Sequence, residues 1–313
     1  MAEPHLLAVG GAHIDRRGRV HGPYVAEASN PGSMSEEVGG AVLNAARMAV
    51  QRGLSVSLFS LRGGDAAGQK VAETIEETGI DDLSATFLDR TTPSYTAILS
   101  QNGDLVTGLA DMHLYELGFA KQLQRRKLRE AFANSDAVLC DANMPAEALQ
   151  QLAVLAENKP VYAIAISPAK VVRLELVLGS LAVLFMNRRE ARRLAGLEAE
   201  RPIEEAVRIL REKGLRAGVI TAGDAPALMF DNEGYTEIAP PKVHNVADVT
   251  GAGDALAGAS VAALMRGFTL AEAVREGMAA AKLVVESDRA APRVGSRTFG
   301  DALASVPPIN NHP

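Results

Sequence analysis

Asn245-Val246-Ala247-Asp248-Val249-Thr250-Gly251-Ala252-Gly253-Asp254-Ala255-Leu256-Ala257-Gly258 is the stretch from which the rest of the chain can be read. An extended segment runs into a turn of small residues, and a long apolar helix follows from about Ala255 to Arg266. Gly251 and Gly253, with Ala252 between them, let the backbone turn tightly and aim N–H groups outward at an anion. They fall at a helix N-terminus, where partial positive charge favours a negative ligand. Asp254 stands at the lip of that pocket. A carboxylate there can take a proton from a hydroxyl while backbone N–H groups hold a migrating phosphoryl group. Asp is also a good N-cap after glycine, and spacing alone leaves both roles open. A dinucleotide fingerprint would need a third glycine at position 256, which is Leu256. A Walker A loop is excluded, because the chain has no Gly-Lys pair.

Outward from this segment the chain alternates short apolar runs with helical patterns. Leu6–Val9, Val56–Ser60, Ala137–Leu139, Val161–Ile166, Ala182–Phe185 and Gly218–Thr221 read as buried strands. Ala41–Gln51, Gly68–Thr78, Ala146–Ala156, Lys170–Leu178, Arg189–Ala195 and Ile203–Glu212 read as helices. Apolar strands of four to six residues between helices predict an α/β fold with a mostly parallel sheet covered on both faces. Two stretches break the rhythm, Val20–Val38 and Ser94–Leu109. Gly22–Ala28 and Tyr95–Ser100 alternate in polarity, and Asn102-Gly103 is a hairpin signal. Both stretches are expected to form antiparallel strands of a small accessory sheet.

A chain of 313 residues is long enough for one large domain or two ordinary ones. The net charge of −6 gives no basic footprint for nucleic acid and fits a polybasic membrane-surface protein poorly. The single cysteine, Cys140, can make no internal disulfide and no Cys-rich zinc site. Its apolar run favours a buried strand residue. The six histidines form no close ligand pair. The N-terminus lacks the features of a signal peptide, and no apolar run approaches the ~18 residues of a spanning helix. A cytoplasmic protein is the expectation.

Three further elements carry chemistry. Gly39-Gly40-Ala41-Val42-Leu43-Asn44 opens a helix with two glycines and sets Asn44 one turn in. That puts a neutral amide beside a glycine-lined concavity suited to sugar hydroxyls; a buried structural Asn is the plainer reading. Asp15 follows the first strand, where ligands of open α/β sheets bind, and could grip two hydroxyls or simply be a loop acid. Asn187-Arg188-Arg189-Glu190 follows a strand. Asn187 and Glu190 could organise Mg²⁺-bound water around a nucleotide phosphate, and the same spacing makes a capping box.

In their order along the chain, these elements together resemble the ribokinase-like (PfkB) carbohydrate kinase family, from Leu6 to about Glu286. Gly39-Gly40…Asn44 and Asp248-Val249-Thr250-Gly251-Ala252-Gly253-Asp254-Ala255 resemble its two signatures, and Asn187…Glu190 its magnesium motif. The resemblance implies one ribokinase-like α/β domain over residues 1–313, with a β-sheet lid from about 16–38 and 92–112. It implies ATP and Mg²⁺ and admits a monovalent cation. It implies Asp254 as the base and the Gly251-Ala252-Gly253 backbone as the anion hole. Asp15, Gly39, Gly40 and Asn44 would hold the acceptor. Asn187, Thr221, Gly223, Thr250 and Gly253 would line the ATP site, with Asn187 and Glu190 holding the metal through water. A homodimer through the lid is a further implication.

Shorter motifs are most similar to the pseudouridine kinases of that family: Ser29-Asn30-Pro31-Gly32, Thr92-Pro93-Ser94-Tyr95, Ala110-Asp111-Met112 and Asp141-Ala142-Asn143. They add Ser94, Asp111 and Asn143 to the acceptor site and imply transfer to the ribose 5′-hydroxyl of pseudouridine. The alternatives are another member, such as a ribokinase, an adenosine kinase or a phosphosugar kinase using Arg16, Arg17 or Arg19, and a nucleoside-binding sensor without turnover. Two departures from the family pattern motivate the sensor. An acid after the fourth strand is replaced, with Ile164 in its place, and the nucleotide loop reads Gly223-Asp224-Ala225-Pro226-Ala227.

Overall fold

Ala137-Val138-Leu139-Cys140-Asp141 is buried at every position, as a strand must be when helices cover both faces of its sheet. The computed structural model describes residues 3–308. The chain begins with β1 (His5–Val9), β2 (His13–Val20), β3 (Gly32–Gly39) and α1 (Ala41–Gln51). Then come β4 (Ser55–Phe59), β5 (Leu61–Gly63), α2 (Ala66–Glu77), β6 (Asp81–Asp82), β7 (Ala85–Phe87), β8 (Ser94–Leu99) and β9 (Leu105–Asp111). Next are α3 (His113–Leu123), α4 (Arg126–Asn134), β10 (Ala137–Asp141), α5 (Ala146–Ala156), β11 (Val161–Ile164), a 3₁₀ segment (Val171–Ser180), β12 (Val183–Asn187), α6 (Arg188–Ala195) and α7 (Ile203–Glu212). The chain closes with β13 (Gly218–Ala222), β14 (Ala225–Phe230), β15 (Tyr235–Ile238), α8 (Ala252–Met265), α9 (Leu270–Val285) and α10 (Ser296–Ala304).

The large sheet runs β15-β14-β13-β12-β11-β10-β1-β4-β6. It is parallel from β13 through β6, and β14 and β15 add antiparallel. Alternate residues feed two cores. Leu6, Ala8 and Leu139 pack toward α1, α8 and α9. Leu7, Val9, Val138 and Cys140 pack toward α3 and α5. Each large apolar side chain removed from water in these layers contributes roughly 1.5–3 kcal/mol. Helices α1 and α8 meet at a small-residue contact: a Cβ at Gly258 would lie 2.2 Å from the Ala45 carbonyl oxygen. Only glycine permits that approach.

The lid is a four-stranded sheet in the order β3-β2-β8-β9. Its outer pairs are antiparallel, and the Asn102-Gly103 hairpin joins β8 to β9. The central pair corrects the all-antiparallel expectation: β2 and β8 run parallel, with Asp15 opposite Tyr95. A hairpin link is impossible there, because most of the first αβ unit lies between them. Gly22–Ala28 is not strand. The Asn30 amide folds that segment into a turn by bonding Val25 N–H, Val25 C=O and Ala28 C=O at 2.8–2.9 Å. The pattern over Lys170–Leu178 becomes a 3₁₀ segment, not an α-helix. Among the described residues, no helix is long and apolar enough to cross a membrane.

Candidate active site

Strand order reverses between β1 and β10. From β1 the sheet grows to β4 on one side, and from β10 to β11 on the other. The loops leaving these two strands therefore diverge and open a crevice at their carboxyl ends. Gly10-Gly11 leaves β1 there, and Asp141 ends β10.

Helix α8 brings Asp254 to this crevice. It starts at Ala252, three residues earlier than the sequence suggests, with Gly251 (φ +79°) as its N-cap. Asp254 thus lies inside the first turn and makes no cap bond, so the capping role falls away. Asp254 is half-buried there, with Asn44 Nδ2 donating to its Oδ2 at 3.0 Å. Burial pushes its pKa up to about 6. The Asn44 bond opposes that shift, the charges of Asp141 and Asp15 reinforce it, and His13 opposes it. A half-buried carboxylate poised near neutrality is suited to general-base work.

Asn44 is buried on α1, at 5% exposure. Arg47, one turn on, donates to Asn44 Oδ1 at 3.3 Å and to the Val38 carbonyl at 3.1 Å. With its oxygen facing a guanidinium, the amide must turn its nitrogen toward Asp254. Gly40 (φ +108°) fits only as glycine, since a Cβ would lie 2.3 Å from the Gly11 carbonyl oxygen. The α1 start and the Gly11 loop are thereby pressed together. Gly39 closes β3 against the Asp15 carboxylate. Asp15 lies 3.4 Å from His13 Nε2, and His13 Nδ1 is 3.4 Å from the Tyr115 hydroxyl.

The anion turn is only partly free. Ala252 N–H donates to the Val249 carbonyl at 3.3 Å. Gly251 and Gly253 N–H make no bond to the described residues, as the first donors of a helix cannot. Thr250 is exposed, and its N–H caps onto Asp248 Oδ1 at 2.9 Å. Asp248 also pairs with Arg17 of the lid.

On the far side, Asn187 and Glu190 form the capping box in full. Asn187 Oδ1 accepts from Glu190 N–H at 3.0 Å, and Glu190 Oε2 from Asn187 N–H at 2.7 Å. Burial raises the Glu190 pKa, the bond from Asn187 N–H lowers it, and the Asp254 charge raises it. The two carboxylates therefore sense each other. Thr221 stands beside Asn187 across β12 and β13. Gly223 (φ +67°) makes the turn between β13 and β14.

Ser94 and Asp111 are cross-strand partners at the lid root, with Ser94 also opposite Ile14. They stand near the crevice through backbone register, and Asp111 is exposed. Asn143 does not open into the crevice as a free ligand. It is buried behind Gly11, bonded to Asp141 and Lys170. The candidates thus split into a wired group (Asp15, Gly39, Gly40, Asn44, Asp254) and a peripheral one.

Sequence reading missed four contributors. Asp141 is fully buried and accepts from Gly11 N–H at 3.1 Å and Val42 N–H at 3.4 Å. Tyr115 brackets Ala12, bonding its N–H and its carbonyl at 3.0 Å each. Lys170 and Arg47 complete the set. An acid ending an otherwise apolar strand was the available signal for Asp141; the others lie on helical or irregular segments with no local mark.

A lid, a glycine turn at a helix start and a half-buried carboxylate suit a phosphotransferase that passes a phosphoryl group to a sugar-type hydroxyl. The pfkB family carbohydrate kinase model matches residues 3–294, and the chain belongs to that family. Its acceptor hydroxyl is that of a sugar or nucleoside. A carbohydrate kinase from Agrobacterium tumefaciens is 45% identical, with a TM-score of 0.84 over 97% of this chain and 98% of that one. The pseudouridine kinase of Escherichia coli K12 is 27% identical over 274 residues, 87% of each chain. The ribokinase of Haemophilus influenzae is 26% identical over 266 residues, 83% of this chain and 84% of that one. The last two agree on the family and differ in acceptor.

Proposed function

We propose that the chain transfers the γ-phosphoryl group of ATP to the ribose 5′-hydroxyl of a nucleoside, with pseudouridine the leading acceptor. Asp254 takes the hydroxyl proton as the oxygen attacks. Gly251 and Gly253 N–H hold the transferring group, whose charge sits on the helix N-terminus. Asp15 and Asn44 orient the ribose, and the lid excludes water that would otherwise hydrolyse ATP. Catalysis is then mostly positioning and charge stabilisation.

The observation that carries the nucleoside reading is a cavity of about 770 Å³ between the lid and residues 246–250. It begins at Asp15 and extends along Tyr95, Met34, Leu99, Val246 and Val249. Arg16, Arg17, Arg19, Ser33 and Ser35 complete the wall, and a planar base would cover the apolar part of it that free ribose leaves empty. Arg16 and Arg17 are already paired with Glu36 and Asp248, so a phosphosugar would have to rely on Arg19 in the same cavity wall. Relatives at 27% and 26% identity do not choose between pseudouridine and ribose.

For Mg²⁺, no group of three or more His, Cys, Asp or Glu side chains converges among the described residues. The single buried carboxylate of Glu190, with Asn187, fits an ion held by waters and nucleotide phosphates, the usual habit of Mg²⁺. When bound, it neutralises charge on the phosphate oxygens. Thr221, Gly223 and Thr250 then border the nucleotide. Ile164 and Pro226 lie in strands, so neither departure disturbs Asp254.

Exposed Met34, Leu105 and Leu109 on the lid edges support a lid-to-lid homodimer. The deciding test is ADP formation with MgATP and pseudouridine, uridine, adenosine, ribose, fructose 6-phosphate or no acceptor. Strong turnover with pseudouridine is expected. Turnover with ribose alone would retire the nucleoside, and none with any acceptor would favour the sensor.

A further inference from the structure

We infer that Lys170 is a positioning residue for phosphoryl transfer, acting through Asn143 and Asp141 on the loop and helix start that cradle the acceptor. The inference rests on the reading of the crevice as an acceptor-phosphorylating site.

Lys170 Nζ donates to Asn143 Oδ1 at 2.6 Å. Asn143 Nδ2 donates to Asp141 Oδ2 at 3.0 Å, and Asn143 N–H to Asp141 Oδ1 at 3.0 Å. The same Oδ2 accepts from Gly11 N–H and Val42 N–H. An ammonium can only donate and a carboxylate can only accept. An amide between them can therefore sit only one way round. Lys170 fixes that orientation, the orientation supplies a donor to Asp141, and Asp141 ties the β1 loop to the first turn of α1. These are the two segments that carry Gly11, Gly40 and Asn44. Charge-assisted bonds of this kind are the stronger ones, and in a buried network they act together.

A second observation is independent of the bonds. Ile166, just before the Ser167-Pro168-Ala169-Lys170 turn, has φ +72°. A β-branched residue there is an outlier that persists only where surrounding structure imposes it, commonly at functional sites. The strained turn is the one that delivers Lys170, whose N–H closes it on the Ser167 carbonyl at 3.1 Å. Burial lowers the Lys170 pKa, and the Asp141 charge raises it. The ammonium thus adds a positive charge behind the N–H donors that already hold Asp141.

The groups facing Asp254 are His13 and Asp15 from β2, Asn44 from α1, Asp141 from β10 and Glu190 from α6. Removing the Lys170 charge leaves Asp141 to oppose ionisation of Asp254. The test compares Lys170→Met, Lys170→Gln, Lys170→Arg, Asp141→Asn and the Lys170→Met/Asp141→Asn double variant. In Lys170→Met the acceptor KM should rise about tenfold or more, the size expected for small misplacement, with the MgATP KM within about twofold. The acid limb of its kcat/KM profile should move to higher pH, and that of Asp141→Asn to lower pH. Lys170→Arg should recover most of the loss, and the double variant should lose less than the product of the singles.

Calorimetric binding of pseudouridine to the same variants gives a readout apart from turnover, and Lys170→Gln serves if the methionine variant does not fold. Lys170 variants with acceptor KM and pH profile superimposed on wild type would overturn the inference while leaving the kinase intact. A wild-type enzyme with neither acceptor binding nor turnover would overturn the kinase reading itself, and this inference with it.

Discussion

The two halves of the crevice, the proposed acceptor half and the proposed nucleotide half, are built differently. Asn44 bonds Asp254 and Arg47, and Asp141 bonds Asn143, Gly11 N–H and Val42 N–H with Lys170 behind, two clusters that tie residues up to 210 positions apart. Asn187, Glu190, Thr250 and Asp248 bond within three residues of themselves, apart from the Arg17 contact to Asp248. The first half is preorganised by tertiary packing. The second is a set of helix starts and turns whose ligand-facing groups stay available. A site that must distinguish hydroxyls benefits from rigidity, whereas phosphates can be held by backbone donors and a metal.

The strongest challenge to this contrast is Asp254→Asn. Loss of a base should lower kcat by about 10²–10⁴-fold, with acceptor binding by calorimetry within a few-fold of wild type. Undiminished kcat would remove the base from the acceptor half. The wild-type pH profile should show kcat/KM falling as pH drops through about 6, because the base form of Asp254 is lost there. The stability sign is opposite. A carboxylate whose folded pKa is raised favours the fold most at low pH, and that contribution fades as pH rises from about 4 through about 6. At pH 7.5 the asparagine variant should therefore be more stable by up to about 2–3 kcal/mol, seen as a higher Tm. A lower Tm would mean that the Asn44 bond outweighs burial.

On the nucleotide side, Glu190→Gln keeps an acceptor for Asn187 N–H and removes the charge. It should reduce kcat/KM for MgATP by about 10–100-fold while changing stability by less than about 1 kcal/mol. An unchanged MgATP profile would leave Glu190 as a cap alone. Arg17→Ala cuts the ion pair between the lid and Asp248. A partly exposed pair is worth about 1 kcal/mol or less, so the acceptor KM should rise only about two- to fivefold. Acceptor-free ATP hydrolysis should increase alongside. Smallest for chemistry, Leu109→Glu should leave kcat unchanged while light scattering shifts from dimer to monomer. A wild-type monomer at assay concentration would dismiss the lid interface.

The contrast also explains what could be read before folding. The large sheet was legible because Ala137–Cys140 and its counterparts are apolar without interruption, and the lid hairpin because Asn102-Gly103 marks its turn. The β2–β8 pairing was not, because its partners join across the intervening helices and no local pattern encodes direction. Asp254, Asn44, Asn187 and Glu190 were legible as residues in short motifs. Their partners were less so: Asp141 shows only as an acid after an apolar strand, and Lys170 lies 27 residues beyond Asn143. Asn187 and Glu190 illustrate a different limit, since one spacing serves both a cap and a metal's water.

Gly258 against Ala45 carries a consequence of its own. With no side chain between them, the two helices that bear Asp254 and Asn44 are in direct backbone contact. The distance from base to amide is inherited from that seam, whereas the acceptor cavity borrows much of its wall from the lid. Substitutions on the lid's face of the cavity should therefore change acceptor preference while leaving the Asn44–Asp254 distance as it is.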